Sequence, residues 1–404
     1  MRRDTWLNRF VAKGGSGLSV EGLEELTKLD DELFAIWNLG DNVLLSWTHG
    51  DGDGEFLFLS VRHYTIPESV HAHSAVDGGV RDAQFINELL SGPKYLPPTQ
   101  FDRVCRVFDS EPNRVRVNLR VDSDGVATVV SDMVRCYGVS LVRDRAVVLL
   151  DAVAFSVRSP LDQMAMLNSL AYSVNSAYAQ LLSRNIRIDF ARTTTGDGFY
   201  IWNRSTTSDG NTELYKLLMM LLADNAVAQK KNRSPWVPRL RAAFHVGDHY
   251  EFYQVQGLNP TNFSYIVGQV TVDLARMLEH ALPGQILLGD FVTSMGSVPH
   301  DTLDFVEDAA ATLDQLHGLD ISGGRIKTIR CYVTGQGVEA GRYLVNRYHL
   351  SDKHGTSRAV YNAKINIHRE SADPIFLGIQ HEALADFKVP VDIRHARAQE
   401  VRRR

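Results

Sequence analysis

Two aspartates near the middle of the chain have the surroundings of metal-binding carboxylates. Asp151 directly follows the continuous apolar run of residues 146–150, and Asp197 lies between two glycines, Gly196 and Gly198. Flanking glycines allow the backbone to approach a ligand closely. Carboxylates at the ends of adjacent strands can hold two divalent cations ~3.5–4 Å apart, which is the geometry of two-metal phosphoryl transfer. Either aspartate alone is typical of an ordinary turn, so the prediction depends on the pair.

The elements around these aspartates predict an α+β sandwich. Residues 146–150 form a short apolar run, which indicates a buried strand. Ser159-Pro160-Leu161-Asp162 has the residue types that begin a helix, with Ser159 as the cap. We expect its core-facing stripe to be Met164, Leu167, Ala171, Val174, Tyr178 and Leu181. Further strands are predicted at 186–190, 199–202, 241–246, 286–288 and 326–333, with helices around 214–222 and 270–281. This order predicts a sheet with helices on one side.

The two ends of the chain have a different character. In the first third, Gly50-Asp51-Gly52-Asp53-Gly54 and Asp122-Ser123-Asp124-Gly125 each separate two apolar runs, and both predict β-hairpins. Residues 342–384 return to β character. We therefore predict an accessory α+β domain at 1–140, a central domain at 141–335, and a β-rich extension with a basic tail at 336–404.

Composition restricts the class of protein. The net charge of −5 gives no general basic field, so we expect no nucleic-acid partner. The three cysteines are scattered, which favours a reducing compartment. The apolar run 217–223 is far shorter than a membrane span, and the first residues lack the apolar stretch of a secretory signal. These features predict a cytoplasmic protein without a membrane span.

The order of motifs resembles a known family. Asp-x-x-x-Phe begins at Asp151, and Thr-Gly-Asp-Gly-Phe follows around Asp197. Next come Arg-Ala-Ala-Phe-His-Val-Gly from Arg241, Tyr-Ile-Val-Gly from Tyr265, Ala-Arg-Met-Leu-Glu around Arg276, and Pro-Gly-Gln-Ile-Leu-Leu from Pro283. Over residues 145–335 this series is similar to the class III nucleotidyl cyclases. The resemblance implies a ferredoxin-type sandwich that closes a nucleoside triphosphate into a 3′,5′-cyclic nucleotide.

The resemblance also implies roles for particular residues. Asp151, Ala152 and Asp197 would form the site of two Mg²⁺ or Mn²⁺ ions, and Arg276 would stabilise the transition state. A guanidinium suits that role because its planar donors match phosphoryl oxygens. Lys327 would bind phosphate, with Arg325 as the alternative. Because family sites generally lie between subunits and this chain carries both halves, the resemblance implies a head-to-tail homodimer.

The chain departs from the family at the positions that recognise the base. Thr193 and Tyr265 stand where adenylate cyclases usually have Lys and Asp, and guanylate cyclases have Glu and Cys. The asparagine expected four residues before Arg276 is Val272. These departures resemble the pyrimidine cyclases of bacterial Pycsar antiphage systems, whose cyclic UMP or cyclic CMP acts through a separate effector. Two alternatives stay open: an adenylate cyclase in ordinary second-messenger signalling, and a catalytically silent sensor or scaffold.

Overall fold

The computed structural model describes residues 20–74, 80–119, 124–232, 236–255, 262–295, 298–335, 337–339, 342–351, 355–384, 387 and 392–396. The chain forms two compact units. The first lies within Met1–Arg143 and Tyr250–Val267, and the second within Asp144–His249 and Gly268–Arg404. The predicted boundaries at 140/141 and 335/336 stay predictions.

The helices and strands of the described residues are as follows. The helices are α1 (Val20–Trp37), α2 (Thr65–Ser74), α3 (Val80–Ser91), α4 (Pro98–Val107), α5 (Asp124–Cys136), α6 (Pro160–Leu182), α7 (Gly210–Asn232), α8 (Gln269–His280) and α9 (Thr302–Ala311). The strands are β1 (Asn42–His49), β2 (Glu55–Arg62), β3 (Asn113–Arg116), β4 (Val139–Ala152), β5 (Phe190–Thr194), β6 (Gly198–Asn203), β7 (Leu240–Val255), β8 (Asn262–Val267), β9 (Ile286–Gly289), β10 (Val292–Met295), β11 (Val298–Asp301), β12 (Arg325–Val333), β13 (Gly337–Glu339), β14 (Arg342–Ser351), β15 (Ser357–Glu370), β16 (Ala372–Leu377) and β17 (Asp392–Ala396). Short 3-10 turns lie at Asn38–Gly40, Leu313–Leu316 and His381–Leu384.

The first unit contains an antiparallel sheet in the order β1-β2-β3. The predicted hairpin at 50–54 is confirmed, because Gly50 N donates to Glu55 O (2.9 Å) where β1 turns into β2. The second predicted hairpin is wrong, because residues 126–130 lie in helix α5; Asp122 and Ser123 lie outside the described residues. The buried side chains of α5 follow helical spacing: Val126, Val129, Val130, Met133 and Val134. These apolar residues recur every three or four positions, and this helical periodicity outweighs the turn signal that precedes them.

The second unit is built on a large sheet with the strand order β13-β14-β15-β9-β7-β4-β6-β5. β4 and β6 pair antiparallel, as do β5 and β6, and β7 pairs parallel with β9. The predicted strand at 186–190 instead begins at Phe190 and runs to Thr194. The C-terminal strands β14 and β15 continue the same sheet through the pairing of β15 with β9.

One face of this sheet packs on helices. The side chains of β4 and β7 that join the core alternate along the strand, namely Ala146, Val148 and Leu150, and Ala242, Phe244 and Val246. They pack with apolar residues of α6, α7 and α9. The predicted α+β sandwich, an antiparallel-rich sheet with helices on one side, is therefore confirmed for these three helices. Residues 151, 241 and 245 belong to the other set in the alternation and face away from this helical layer.

The stripe predicted for α6 is displaced by part of a turn. Ser159 caps the helix as expected, accepting from Asp162 N (3.3 Å). The buried residues of α6, however, are Met166, Leu170, Ser173, Val174, Ala177 and Leu181, and Met164 is exposed. The apolar residues of a long helix are compatible with more than one buried face, and the elements that pack against the helix decide which face is buried.

Candidate active site

Asp151 is the second-last residue of β4 and lies within its buried part, on the sheet face opposite the helices. It pairs across the strands with Gly198 of β6, and its side chain is nearly buried, with 8 % of the residue exposed. The apolar run before Asp151 forms a strand in which every residue from 146 to 150 is buried. The strand therefore determines how deeply the Asp151 carboxylate is buried and which face of the sheet it lies on.

Gly198 is required for the close approach of β6 to β4. A Cβ at this position would lie 1.8 Å from the backbone oxygen of Leu150, which no side chain can tolerate. Gly196 has a positive φ of 102°, a conformation that favours glycine. Gly196 thus serves the predicted turn, while Gly198 serves a close contact between strands rather than the approach to a ligand that was predicted.

Asp197 lies at the turn beside Asp151. Its backbone oxygen accepts from Ala152 N (3.0 Å), and its carboxylate Oδ1 accepts from the Thr195 hydroxyl (3.1 Å). The negative charge of Asp197 contributes to raising the pKa of Asp151. The structure therefore brings the two predicted carboxylates together across neighbouring strands.

Arg241 binds the Asp151 carboxylate with two donors. Its Nε donates to Oδ1 (2.9 Å), and its terminal nitrogen Nη2 contacts Oδ2. Burial raises the pKa of Asp151, while the hydrogen bonds and charge of Arg241 oppose that rise. The hydrogen bond to Asp151, in turn, raises the pKa of Arg241. The pair is an ion pair with most of its surface removed from solvent.

No role was predicted for Arg241 from the sequence. A signal was present, because Arg241 precedes Ala242 on β7 as Asp151 follows Leu150 on β4, so both occupy positions that face away from the helices. Which strand would lie next to β4 was not predictable from this alternation. In the structure β7 lies next to β4, and this brings Arg241 into contact with Asp151.

The chemistry of the donors fits a hard divalent cation. The Asp197 carboxylate is close enough for its charge to help raise the pKa of Asp151, and the guanidinium of Arg241 supplies a positive charge to Asp151. Carboxylate oxygens are the ligands that such cations prefer. Within the described ranges, no cluster of three or more His, Cys, Asp and Glu side chains could hold a metal ion. Since Ala152 has no side-chain donor, its contribution can only be its backbone carbonyl. The protein ligands would therefore be two carboxylates and backbone oxygen.

Thr193 and Tyr200 lie opposite each other on β5 and β6. Directly opposed residues share a sheet face. The Tyr200 hydroxyl donates to Thr271 O of α8 (3.0 Å), so this pair lies on the side of the sheet that α8 contacts. Thr193 is half-buried there. Its predicted role in recognising a base stays a prediction.

Arg276 lies in the second half of α8, away from the buried stripe of that helix. The buried residues are Val270, Leu274, Met277 and Leu278. The Arg276 guanidinium donates to Glu279 Oε1 (2.6 Å), one turn further along. Arg276 therefore stands off the apolar stripe of α8.

The other two predicted substrate-binding residues are Lys327 and Tyr265. Lys327 is exposed on β12, which pairs with β15, and β15, β9 and β7 lie between β12 and β4 in the sheet order. Tyr265 belongs to the first unit, on β8, where its ring stacks on Phe252 at 5.8 Å. The roles of both residues stay predictions.

The described part of the chain contains no helix long and apolar enough to cross a membrane. No protein-family model and no curated protein matches the sequence.

Solved structures similar to this chain are nucleotide cyclases. The guanylyl cyclase Cya2 is 12 % identical, with 55 % of this chain and 92 % of that chain covered and a TM-score of 0.31. The guanylate cyclase domain of RhGC from Catenaria anguillulae, in complex with GTP, is 12 % identical, with 57 % and 100 % covered and a TM-score of 0.33. The adenylyl cyclase CyaB from P. aeruginosa is 11 % identical, with 58 % and 98 % covered and a TM-score of 0.33. These neighbours are adenylyl and guanylyl cyclase domains, the kind of protein that the order of motifs resembles.

Proposed function

We propose that the chain is a nucleotide cyclase that converts a nucleoside triphosphate into a 3′,5′-cyclic nucleotide and pyrophosphate. The proposal rests on the pairing of Asp151 with Gly198, because this pairing sets Asp151 beside Asp197 at the end of a buried strand. The order of motifs around these residues supports the same function. In an enzyme of this kind, neighbouring carboxylates hold the two metal ions, and the metal ions stabilise the attacking and leaving oxygens.

The residues of the chain would divide the work. Asp151, Asp197 and the carbonyl of Ala152 would hold two Mg²⁺ or Mn²⁺ ions. When bound, such ions lower the pKa of the ribose 3′-hydroxyl and neutralise charge on the α-phosphate and the leaving pyrophosphate. Arg276 would donate to phosphoryl oxygens as charge develops on them, and Lys327 would bind the phosphate chain. The helical layer on the far side of the sheet supports the strand that carries Asp151.

We further propose a head-to-tail homodimer with two sites. One subunit would supply the carboxylates, and its partner would supply Arg276. The location of Arg276 off the buried stripe of α8 supports this arrangement.

The substrate is proposed to be a pyrimidine nucleotide, UTP or CTP. The support is in the sequence: Thr193 and Tyr265 replace the purine-recognising residues of adenylate and guanylate cyclases. By this interpretation the protein acts in the cytoplasm in antiviral defence, and its product activates a separate effector.

The experiment is an incubation of the purified protein with Mn²⁺ or Mg²⁺ and each of ATP, GTP, CTP and UTP, followed by mass spectrometry of the products. Cyclic UMP or cyclic CMP as the main product supports the whole proposal. Cyclic AMP as the main product supports cyclase activity but contradicts the proposed pyrimidine substrate. No cyclic product from any nucleotide, with a folded dimer, identifies a silent module. That second candidate is favoured by one observation, the occupation of both Asp151 oxygens by Arg241.

A further inference from the structure

Asp273 joins three elements of the second unit at the start of α8. Its Oδ1 accepts from Gln269 Nε2 (2.8 Å) in the first turn of the same helix and from Arg358 Nε of β15. Its Oδ2 lies 3.7 Å from His245 Nε2 of β7. No motif in the sequence pointed to this residue. One carboxylate therefore ties the helix to two strands of the sheet.

The Asp273 contacts are shielded from solvent. The side chains of Asp273 and Arg358 are 16 % and 12 % exposed, and that of His245 is 13 % exposed. Burial opposes ionisation of Asp273, but its contacts with His245, Arg358 and Gln269 outweigh burial and lower its pKa to about 2. The carboxylate is thus a fixed negative charge between two basic side chains at neutral pH.

The neighbouring groups restrict movement of the helix further. A Cβ at Gly289 would lie 2.5 Å from His245 Nδ1, so the imidazole ring fills the space above β9. The Thr271 carbonyl accepts from Tyr200 of β6, and the Thr271 hydroxyl contacts the backbone of Gly268. The first turn of α8 is therefore held by β6, β7 and β15 together.

Arg276 lies one turn beyond Asp273 on this helix. We propose that Asp273 is a positioning residue for Arg276, fixing the rotation and height of α8 so that the guanidinium meets the phosphoryl oxygens of the partner's site. The inference rests on the proposed function. A group that acts in the transition state needs its geometry fixed more closely than one that only binds substrate, and a displacement of about 1 Å can cost about 100-fold in rate.

The first test is the kinetics of Asp273→Asn, which keeps the size of the side chain and removes its charge. We expect kcat to fall by roughly 10- to 100-fold with little change in KM, because only a transition-state contact is displaced. Binding of Mn²⁺, measured by electron paramagnetic resonance without nucleotide, should match the wild type. Asp314→Asn is the matched control, since Asp314 is exposed on a 3-10 turn.

The second test mixes variants under conditions in which subunits exchange. Asp151→Asn and Asp273→Asn should restore one intact site in each mixed dimer, giving about a quarter of the wild-type rate if subunits assort randomly. Asp273→Asn mixed with Arg276→Ala should restore nothing, because both variants lack the same half of the site. This pattern assigns Asp273 to the arginine half, which a general effect on stability would not do.

The inference is overturned if Asp273→Asn keeps the wild-type kcat, or if it fails to complement Asp151→Asn. Should the asparagine variant not fold, Arg358→Lys carries the same two tests, because it keeps the positive charge and loses the guanidinium geometry. An unchanged kcat in Arg358→Lys then overturns the inference. A wild-type protein that makes no cyclic nucleotide contradicts the proposed function instead, so the two failures are distinguishable.

Discussion

Arg241 and Asp151 form a two-point ion pair at the centre of the candidate site, with the guanidinium of one strand bound to the carboxylate of the next. Asp197 adds a second negative charge beside this pair. The arginine occupies oxygens that a divalent cation would need. Arg241 therefore already neutralises Asp151. A metal ion that binds Asp151 must either displace Arg241 or share the carboxylate with it.

Replacement of Arg241 by Met should tighten the binding of Mn²⁺ in the absence of nucleotide. Removing a nearby positive charge in a partly exposed site is worth on the order of 1 kcal/mol, or roughly a fivefold decrease in Kd. The measurement is an electron paramagnetic resonance titration at pH 8. Arg187→Met, at an exposed arginine, is the control. Weaker binding in Arg241→Met would mean that the arginine holds Asp151 in place for the metal rather than competing with it.

Gly198→Ala should destabilise the protein, because the new Cβ would meet the backbone oxygen of Leu150 at 1.8 Å. We expect a cost of at least about 2 kcal/mol and loss of Mn²⁺ binding, since β4 and β6 must separate. The comparison is Gly196→Ala, where nothing lies within 4 Å and only the positive φ opposes alanine, at about 1 kcal/mol. Thermal denaturation distinguishes the two. Equal effects at both positions would contradict the strand contact described here.

Ser159→Ala should weaken the start of α6 by about 1 kcal/mol. The Ser159 hydroxyl accepts from Asp162 N (3.3 Å) and donates to Asp162 Oδ2 (2.8 Å), and alanine removes both contacts. Ser159→Thr keeps the hydroxyl and should retain most of the stability. Urea denaturation of the three proteins measures the difference. Identical midpoints for serine and alanine would show that Ser159 does not act as a cap.

Lys94→Met should change how the stability of the first unit depends on pH. Lys94 is fully buried, with its amine donating to Val139 O (3.1 Å), and burial together with the nearby Arg135 charge lowers its pKa from 10.5 to about 7. Between these values the unfolded chain binds a proton that the folded chain does not, so the stability of the wild type should rise with pH from 7 to about 10. Methionine removes that dependence.

We expect the free energy of unfolding of Lys94→Met to exceed that of the wild type by roughly a few kcal/mol at pH 7, and the difference to shrink towards pH 10. Chemical denaturation at several pH values, with the free energy of unfolding as the readout, measures it. Glu68→Gln, in the first turn of α2, is a control for a general effect of charge. A difference between Lys94→Met and the wild type that is constant with pH would contradict a lowered pKa.

The sequence predicted those features that depend on local pattern. The apolar run before Asp151 forms the strand, the glycines around Asp197 form the turn, and Ser159 caps its helix. Each of these depends on residues within a few positions of one another, and the physics of strands, turns and caps acts at that range.

The features that were missed depend on which elements become neighbours. Arg241 reaches Asp151 because β7 lies next to β4, and Asp273 reaches Arg358 because α8 lies near β15. Neither adjacency has a local signature. The same reason explains α5, where two adjacent signals conflicted and packing against the first unit's sheet selected the helix.

We propose that Asp151 and Asp197 together carry metal-dependent cyclisation. The decisive measurement compares the wild type, Asp151→Asn and Asp197→Asn with Mn²⁺ and the nucleotide that gives the most product, measuring cyclic nucleotide and pyrophosphate together. We expect equal amounts of both products from the wild type and a loss of more than about 100-fold in either variant, with the dimer intact. A wild-type rate in Asp151→Asn would contradict it.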